Sequence, residues 1–104
     1  MRFVRFEILL PLRYNDGSPV ELLKYEETRE ELVAEFGALS EEVGTVRGTW
    51  VHENVRYQDE LIRFYVECAY TRHNQEFFKQ YSVRLKERFQ QLEIRITSHS
   101  VRVY

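Results

Sequence analysis

The sequence opens on a strict alternation of apolar and polar positions. From Val4 to Leu12 the even-numbered residues are apolar, whereas Arg5 and Glu7 lie between them. Because successive side chains of a strand point to opposite faces, this pattern predicts a β-strand with one buried face. The same alternation returns between Glu60 and Tyr70 and predicts a second strand of this kind.

Two other stretches repeat apolar residues every three or four positions, as one face of a helix does. The first predicts a helix that Ser18 caps, that has Pro19 at its first position and that ends at Gly37. The second predicts a helix capped by Asn74, with a stripe made of Phe78, Tyr81, Leu85 and Phe89.

The segments Val43–His52 and Glu93–Tyr104 also alternate, and they supply the two remaining predicted strands. The first of them leads through an extended loop around Glu53-Asn54 into the strand that follows. The element order is therefore βαββαβ, which predicts an α+β, ferredoxin-like domain over residues 1–104. Right-handed crossovers predict a four-stranded antiparallel sheet of order 4-1-3-2, with both helices on one face.

In this arrangement the second sheet face has no helix over it. It would carry one arginine from each strand with glutamates between them, namely Arg5, Arg47, Arg63, Arg95, Glu7, Glu67 and Glu93. Three interpretations stay open: a solvated face with cross-strand ion pairs, a homodimer interface, and a platform for an anionic ligand or RNA. The interface interpretation assigns the contact to Leu9, Val51, Leu61, Arg63 and Tyr65.

Composition narrows the classes of partner. The 104 residues are 43% apolar and 31% charged with a net charge of −2, which is typical of a globular domain without the positive excess of nucleic-acid-binding proteins. No apolar run reaches the roughly 18 residues of a membrane span. We therefore expect no nucleic acid and no membrane among the partners. The single cysteine, Cys68, favours a reducing compartment, and we expect a cytoplasmic protein.

The sequence carries no strong catalytic motif. Its three histidines have no metal-ligand spacing, so we expect no metal and no cofactor, and catalytic residues stay unassigned. The best candidate for a small-molecule site is the predicted hairpin, with Arg47, Trp50, His52, Tyr57 and Asp59. Alternation places Arg47 opposite Trp50 and His52, so all five converge only if Gly48 forms a bulge. The alternative is a core tryptophan beside a polar turn.

A series of short motifs resembles a family of small bacterial domains of unknown function. The motifs are Pro11, Asp16-Gly17, Leu32, Phe36-Gly37, Gly44, Gly48-x-Trp50 and Tyr57-x-Asp59, followed by Tyr81, Leu85, Arg88-Phe89 and Ile94. The resemblance spans nearly the whole chain. It implies a ferredoxin-like fold and no particular activity.

Three hypotheses of function follow from these observations, and the charge balance disfavours one of them, a nucleic-acid-linked protein. The first is a small homodimeric binding or protein-interaction module. The alternative is a small enzyme of the dimeric α+β barrel type that acts on a small molecule.

Overall fold

The computed structural model describes residues 2–104, which contain two helices and five strands. In chain order they are β1 (Phe3–Pro11), α1 (Leu22–Phe36), β2 (Ser40–Glu41), β3 (Val46–His52), β4 (Val55–Ala69), α2 (Arg72–Arg88) and β5 (Ile96–Val101). All the strand pairs are antiparallel and belong to one sheet. The α+β class is therefore as the sequence predicts.

The strand count differs from the prediction. The sheet has five strands in the order β2-β4-β1-β5, with β3 also paired to β4, so it is not the predicted four-stranded ferredoxin-like sheet. Tyr65 of β4 pairs with β1 and β2, and Leu61 pairs with β1 and β3, so β2 and β3 share the edge opposite β1. The chain leaves this edge at residues 42–45, where Gly44 has a φ of 146°. The predicted strand Val43–His52 thus corresponds to β3, and the short strand β2 before it was not predicted.

The alternating residues of β1 and β4 build the core. In the register, Phe6 faces Val66 and Ile8 faces Phe64, and all four side chains are buried. Both helices cover this face, since Phe78 of α2 stacks on Phe6 with ring centroids 4.1 Å apart and Leu32 of α1 belongs to the same buried cluster. The even-numbered residues of β1, and of the part of β4 that pairs with β1, therefore point to the helices, as their pattern predicts.

Both helices begin at residues other than the predicted ones. Ser18 instead turns back on Asp16, whose Oδ1 accepts the Ser18 N–H at 2.8 Å, and α1 begins at Leu22. Gly37 ends α1 as predicted, with a φ of 76°. The cap of α2 is Thr71, whose hydroxyl accepts the N–H of Asn74 at 3.1 Å, so the predicted cap Asn74 is the donor.

A hairpin extends from the core, and we call residues 46–60 the arm. It contains β3, a two-residue turn and the first part of β4, and every residue from 49 to 60 is exposed. Glu53 and Asn54 have φ values of 50° and 64°, which is the backbone of a type I′ turn. The predicted extended loop is therefore wrong, because two residues suffice to reverse the chain.

Candidate binding surface

The sheet face opposite the helices is uncovered, and we call it the open face. Odd-numbered residues of β1, β4 and β5 share it, because Arg5 pairs with Glu67 and His99, and Glu7 pairs with Tyr65 and Thr97. Its members are half-buried or exposed, namely Phe3, Arg5, Glu7, Leu9, Leu61, Arg63, Tyr65, Glu67, Thr97, His99 and Val101. It is therefore a mixed surface of apolar and charged side chains.

Arg5 is held on the open face by two neighbours. Its Nη2 lies 2.7 Å from Glu67 Oε2, and its guanidinium lies over the ring of Tyr65, 4.2 Å from the centroid. The hydrogen bond with Glu67 is the main cause that raises the pKa of Arg5 above its ordinary value. Glu67 of the same chain thus balances the charge of Arg5, and Tyr65 packs against its guanidinium.

Arg63 connects two further carboxylates across the same face. Its Nη1 donates to Glu42 Oε1 at 2.7 Å, and its Nε lies 3.3 Å from Glu7 Oε2. Glu7 also lies 3.2 Å from His99 Nε2. The Nε of Arg63 is buried and makes no hydrogen bond with residues 2–104, because its approach to Glu7 is poorly directed. Arg5 and Arg63 of this face are therefore both paired with neighbouring glutamates.

Four of the five predicted ligand-site residues converge on one surface of the arm. Trp50 Nε1 donates to Asp59 Oδ2 at 2.8 Å, and the rings of Trp50 and Tyr57 stack with centroids 4.4 Å apart. His52 lies on the same surface, its ring 6.5 Å from that of Trp50. Trp50 is 49% exposed, so it is not the core tryptophan of the alternative interpretation.

The fifth residue, Arg47, lies on the other surface of the arm. Gly48 pairs with Asp59 in an unbroken register and forms no bulge, so Arg47 stays opposite Glu60 and away from Trp50. A Cβ at Gly48 would meet Leu61 Cδ1 at an ordinary contact distance of 3.8 Å. The five predicted side chains therefore do not form a single pocket.

The predicted interface residues divide in the same way. Leu9, Leu61, Arg63 and Tyr65 share the open face. Val51 pairs with Arg56 and points to the opposite surface of the arm. The register explains the difference, because even-numbered residues of β3 pair with odd-numbered residues of β4. The surface that contains Trp50 is thus the one continuous with the open face, through the pair of Val46 and Leu61.

A polar network between the helices was not anticipated from the sequence. Arg88 Nη1 donates to the hydroxyl of Thr28 at 2.8 Å and lies 2.6 Å from Glu31 Oε1. Tyr81 also donates to Glu31, at 2.9 Å, and Arg84 reaches the second oxygen of Glu31 at 3.2 Å. Thr28 is fully buried. The network joins α1 to α2 through side chains that have few alternatives for hydrogen bonding.

The ionisation of this network follows from its contacts. Burial raises the pKa of Glu31, but hydrogen bonds from Arg88 and Tyr81 outweigh burial and leave it below its ordinary value. Burial is also the main cause that raises the pKa of Tyr81. A signal did exist in the sequence, since Thr28 lies three residues after Tyr25 and Arg88 three after Leu85, within the two apolar stripes.

Two adjacent glutamates hold the short strand β2 from both sides. Glu41 points to the helices and accepts from Arg29 through both carboxylate oxygens, each at 2.7 Å. Glu42 binds Arg63 on the open face. The Arg29 hydrogen bond is the main cause that lowers the pKa of Glu41. The guanidinium of Arg29 is therefore already paired with a carboxylate of the same chain.

The remaining candidate chemistry is limited. Cys68 is buried, and burial raises the pKa of its thiol. Within residues 2–104, no cluster of three or more histidine, cysteine or acidic side chains could hold a metal ion. A surface depression of about 450 Å³ runs along α1, lined by Leu23 and by Glu26, Glu27, Glu30 and Glu31. None of the described helices is long and apolar enough to cross a membrane.

No protein-family model matches the chain, and no curated protein matches it either. The resemblance to small bacterial domains of unknown function therefore stays a prediction.

Proposed function

We propose that this protein is a small binding module that works as a homodimer and that its copies meet through the open face. The observation that carries the proposal is an uncovered sheet face on which Leu9, Leu61 and Tyr65 lie among charges already paired within one copy. Burying such a face removes apolar surface from water without leaving an unpaired charge.

The dimensions of the open face suit such a contact. Nine residues of β1 and four strand positions give an area of about 30 by 19 Å, or about 570 Å² per copy. Two copies would bury about 1,100 Å², close to the lower end of specific interfaces. The paired charges also leave the face nearly neutral, so two identical faces do not repel each other.

The rival functions have less support. A small-molecule site made of all five predicted arm residues would need Arg47 beside Trp50, and these side chains lie on opposite surfaces. Asp59 is also engaged by the Trp50 indole. Nucleic-acid binding is disfavoured because Arg5 and Arg63 are bound to glutamates. The buried thiol of Cys68 is compatible with the expected cytoplasmic location.

Sedimentation equilibrium between 1 and 200 μM tests the proposal. We expect a dimer with a dissociation constant in the micromolar range, and a monomer for Leu9→Asp, because a carboxylate at the centre of the interface would be buried without a partner. Leu92→Asp, at a residue that is 90% exposed and lies outside the strands of the open face, is the matched control and should still dimerise. A parent chain that stays monomeric at 200 μM overturns the proposal.

A further inference from the structure

The arm is the part of the molecule that its own fold supports least. A two-stranded hairpin is marginally stable in water, and within residues 2–104 strand β3 pairs with β4 alone. Even so, the arm exposes large apolar side chains, with exposed fractions of 49% for Trp50, 50% for Val55 and 40% for Tyr57. A second surface laid over these residues would stabilise the hairpin.

The opposite end of the open face also lacks a cover. There Phe3 pairs with Ala69 on one side and with Val101 on the other, and these three side chains form a small apolar patch. Phe3 is 40% exposed. We call this patch the Phe3 end. The register places Trp50 beside Tyr57, twelve residues along β4 from Ala69, so Phe3 and Trp50 of one chain lie about 40 Å apart.

We propose that the arm of each copy lies across the Phe3 end of a second copy of this chain. The inference rests on the proposed function, because it assumes that two open faces meet. Arg63 lies six residues from both Tyr57 and Ala69 along β4. A two-fold axis near Leu9 and Arg63, with the two sheets antiparallel, therefore places the arm of one copy over the partner's Phe3 end and the reverse.

Coverage of the exposed aromatic side chains of the arm favours this arrangement over one centred on the middle of the core. When the two-fold axis lies at Arg63 and not at the middle of the core, contacts between arm and core replace some of the contacts between the two cores. The contact area stays at about 570 Å² per copy. The gain is that Trp50 and Tyr57 become covered.

The fluorescence of Trp50 tests the inference, because it is the only tryptophan of the chain. We would measure acrylamide quenching of its emission between 0.5 and 200 μM, with sedimentation on the same samples. In the parent chain the quenching constant should fall at least about twofold as the dimer forms, because the exposed half of the indole becomes covered. Phe3→Asp should weaken dimerisation about tenfold or more and keep Trp50 quenchable to higher concentration.

The control and the contrary outcomes separate this inference from the proposed function. Leu92→Asp should match the parent chain in both measurements. A dimer in which Trp50 stays as quenchable as in the monomer overturns the arm placement but leaves the homodimer intact. So does a Phe3→Asp chain whose dimer protects Trp50 fully, because Phe3 can influence Trp50 only through the partner. Protection of Trp50 from quenching by an added peptide, without protection by a second copy, would also contradict the arm placement.

Discussion

The side chain of Arg88 crosses from α2 to Thr28 on α1, where its Nη1 donates a 2.8 Å hydrogen bond to a hydroxyl that is fully buried. The same guanidinium binds Glu31. One arginine thus satisfies polar atoms on the neighbouring helix that water reaches poorly. The two helices are held together by a polar contact at this point as well as by the apolar stripes.

Replacing Arg88 by alanine should lower the free energy of unfolding by about 2 to 3 kcal/mol, because Thr28 and Glu31 lose their shared partner in a half-buried site. Arg84→Ala is the matched control, since Arg84 binds the same Glu31 but its side chain is 60% exposed. That variant should lose less than about 1 kcal/mol. Urea denaturation measures both, and equal losses would contradict the assigned role of Arg88.

The hydrogen bond between Trp50 and Asp59 should stabilise the arm locally. Asp59→Ala removes an interaction of about 1 kcal/mol, so amide hydrogen exchange within residues 46–60 should accelerate about fivefold in dilute samples. Amides of β1 should be unaffected. Gln58→Ala, a change on the other surface of the arm, is the control. Acceleration of core exchange to the same extent would mean that the arm is not an independent unit.

Acid should weaken the contact between Glu41 and Arg29. The pKa of Glu41 is lowered in the folded state, so its stabilisation is complete above the ordinary value of 4.5 and is lost as the pH falls through the lower, folded value. In Arg29→Gln the carboxyl should titrate closer to 4.5. A carboxyl-detected NMR titration from pH 6 to 2 follows this directly. An unchanged Glu41 titration in the variant would exclude Arg29 as the cause.

Cys68 should react slowly with thiol reagents in the native protein. The thiol is buried and burial raises its pKa, so little thiolate is present and the reagent cannot reach it. We expect dithiobis(nitrobenzoate) to react at least about a hundredfold more slowly in buffer than in 8 M urea. Comparable rates in the two conditions would show that β4 opens readily at this residue.

Alternation predicted the central strands well because one physical constraint governs them. In β1 and in the part of β4 that pairs with it, each even-numbered residue faces a core covered by helices, so polarity and geometry repeat together. The stripe of Phe78, Tyr81 and Leu85 in α2 follows the same logic with a helical period, and all three are buried. In these elements the sequence pattern therefore predicts which side chains are buried.

The edge of the sheet and the arm lack that constraint. Five of the seven residues of β3 are exposed and none is buried, so its apolar residues do not indicate a buried face. The register with β4 decides where Trp50 and Val51 point. Arg47 was therefore separated from its predicted neighbours by backbone pairing alone. The start of α1 differs from the prediction because Asp16 binds Ser18 in a local turn.

The break between β2 and β3 has a consequence for how the protein can assemble. A new strand that approached this edge would find two separate hydrogen-bonding runs, of two and seven residues, interrupted at residues 42–45. Continuous, flat edges recruit further strands and lead to fibres, whereas interrupted ones resist such growth. Lateral polymerisation is thereby discouraged, so association through the face of the sheet can end in a closed pair.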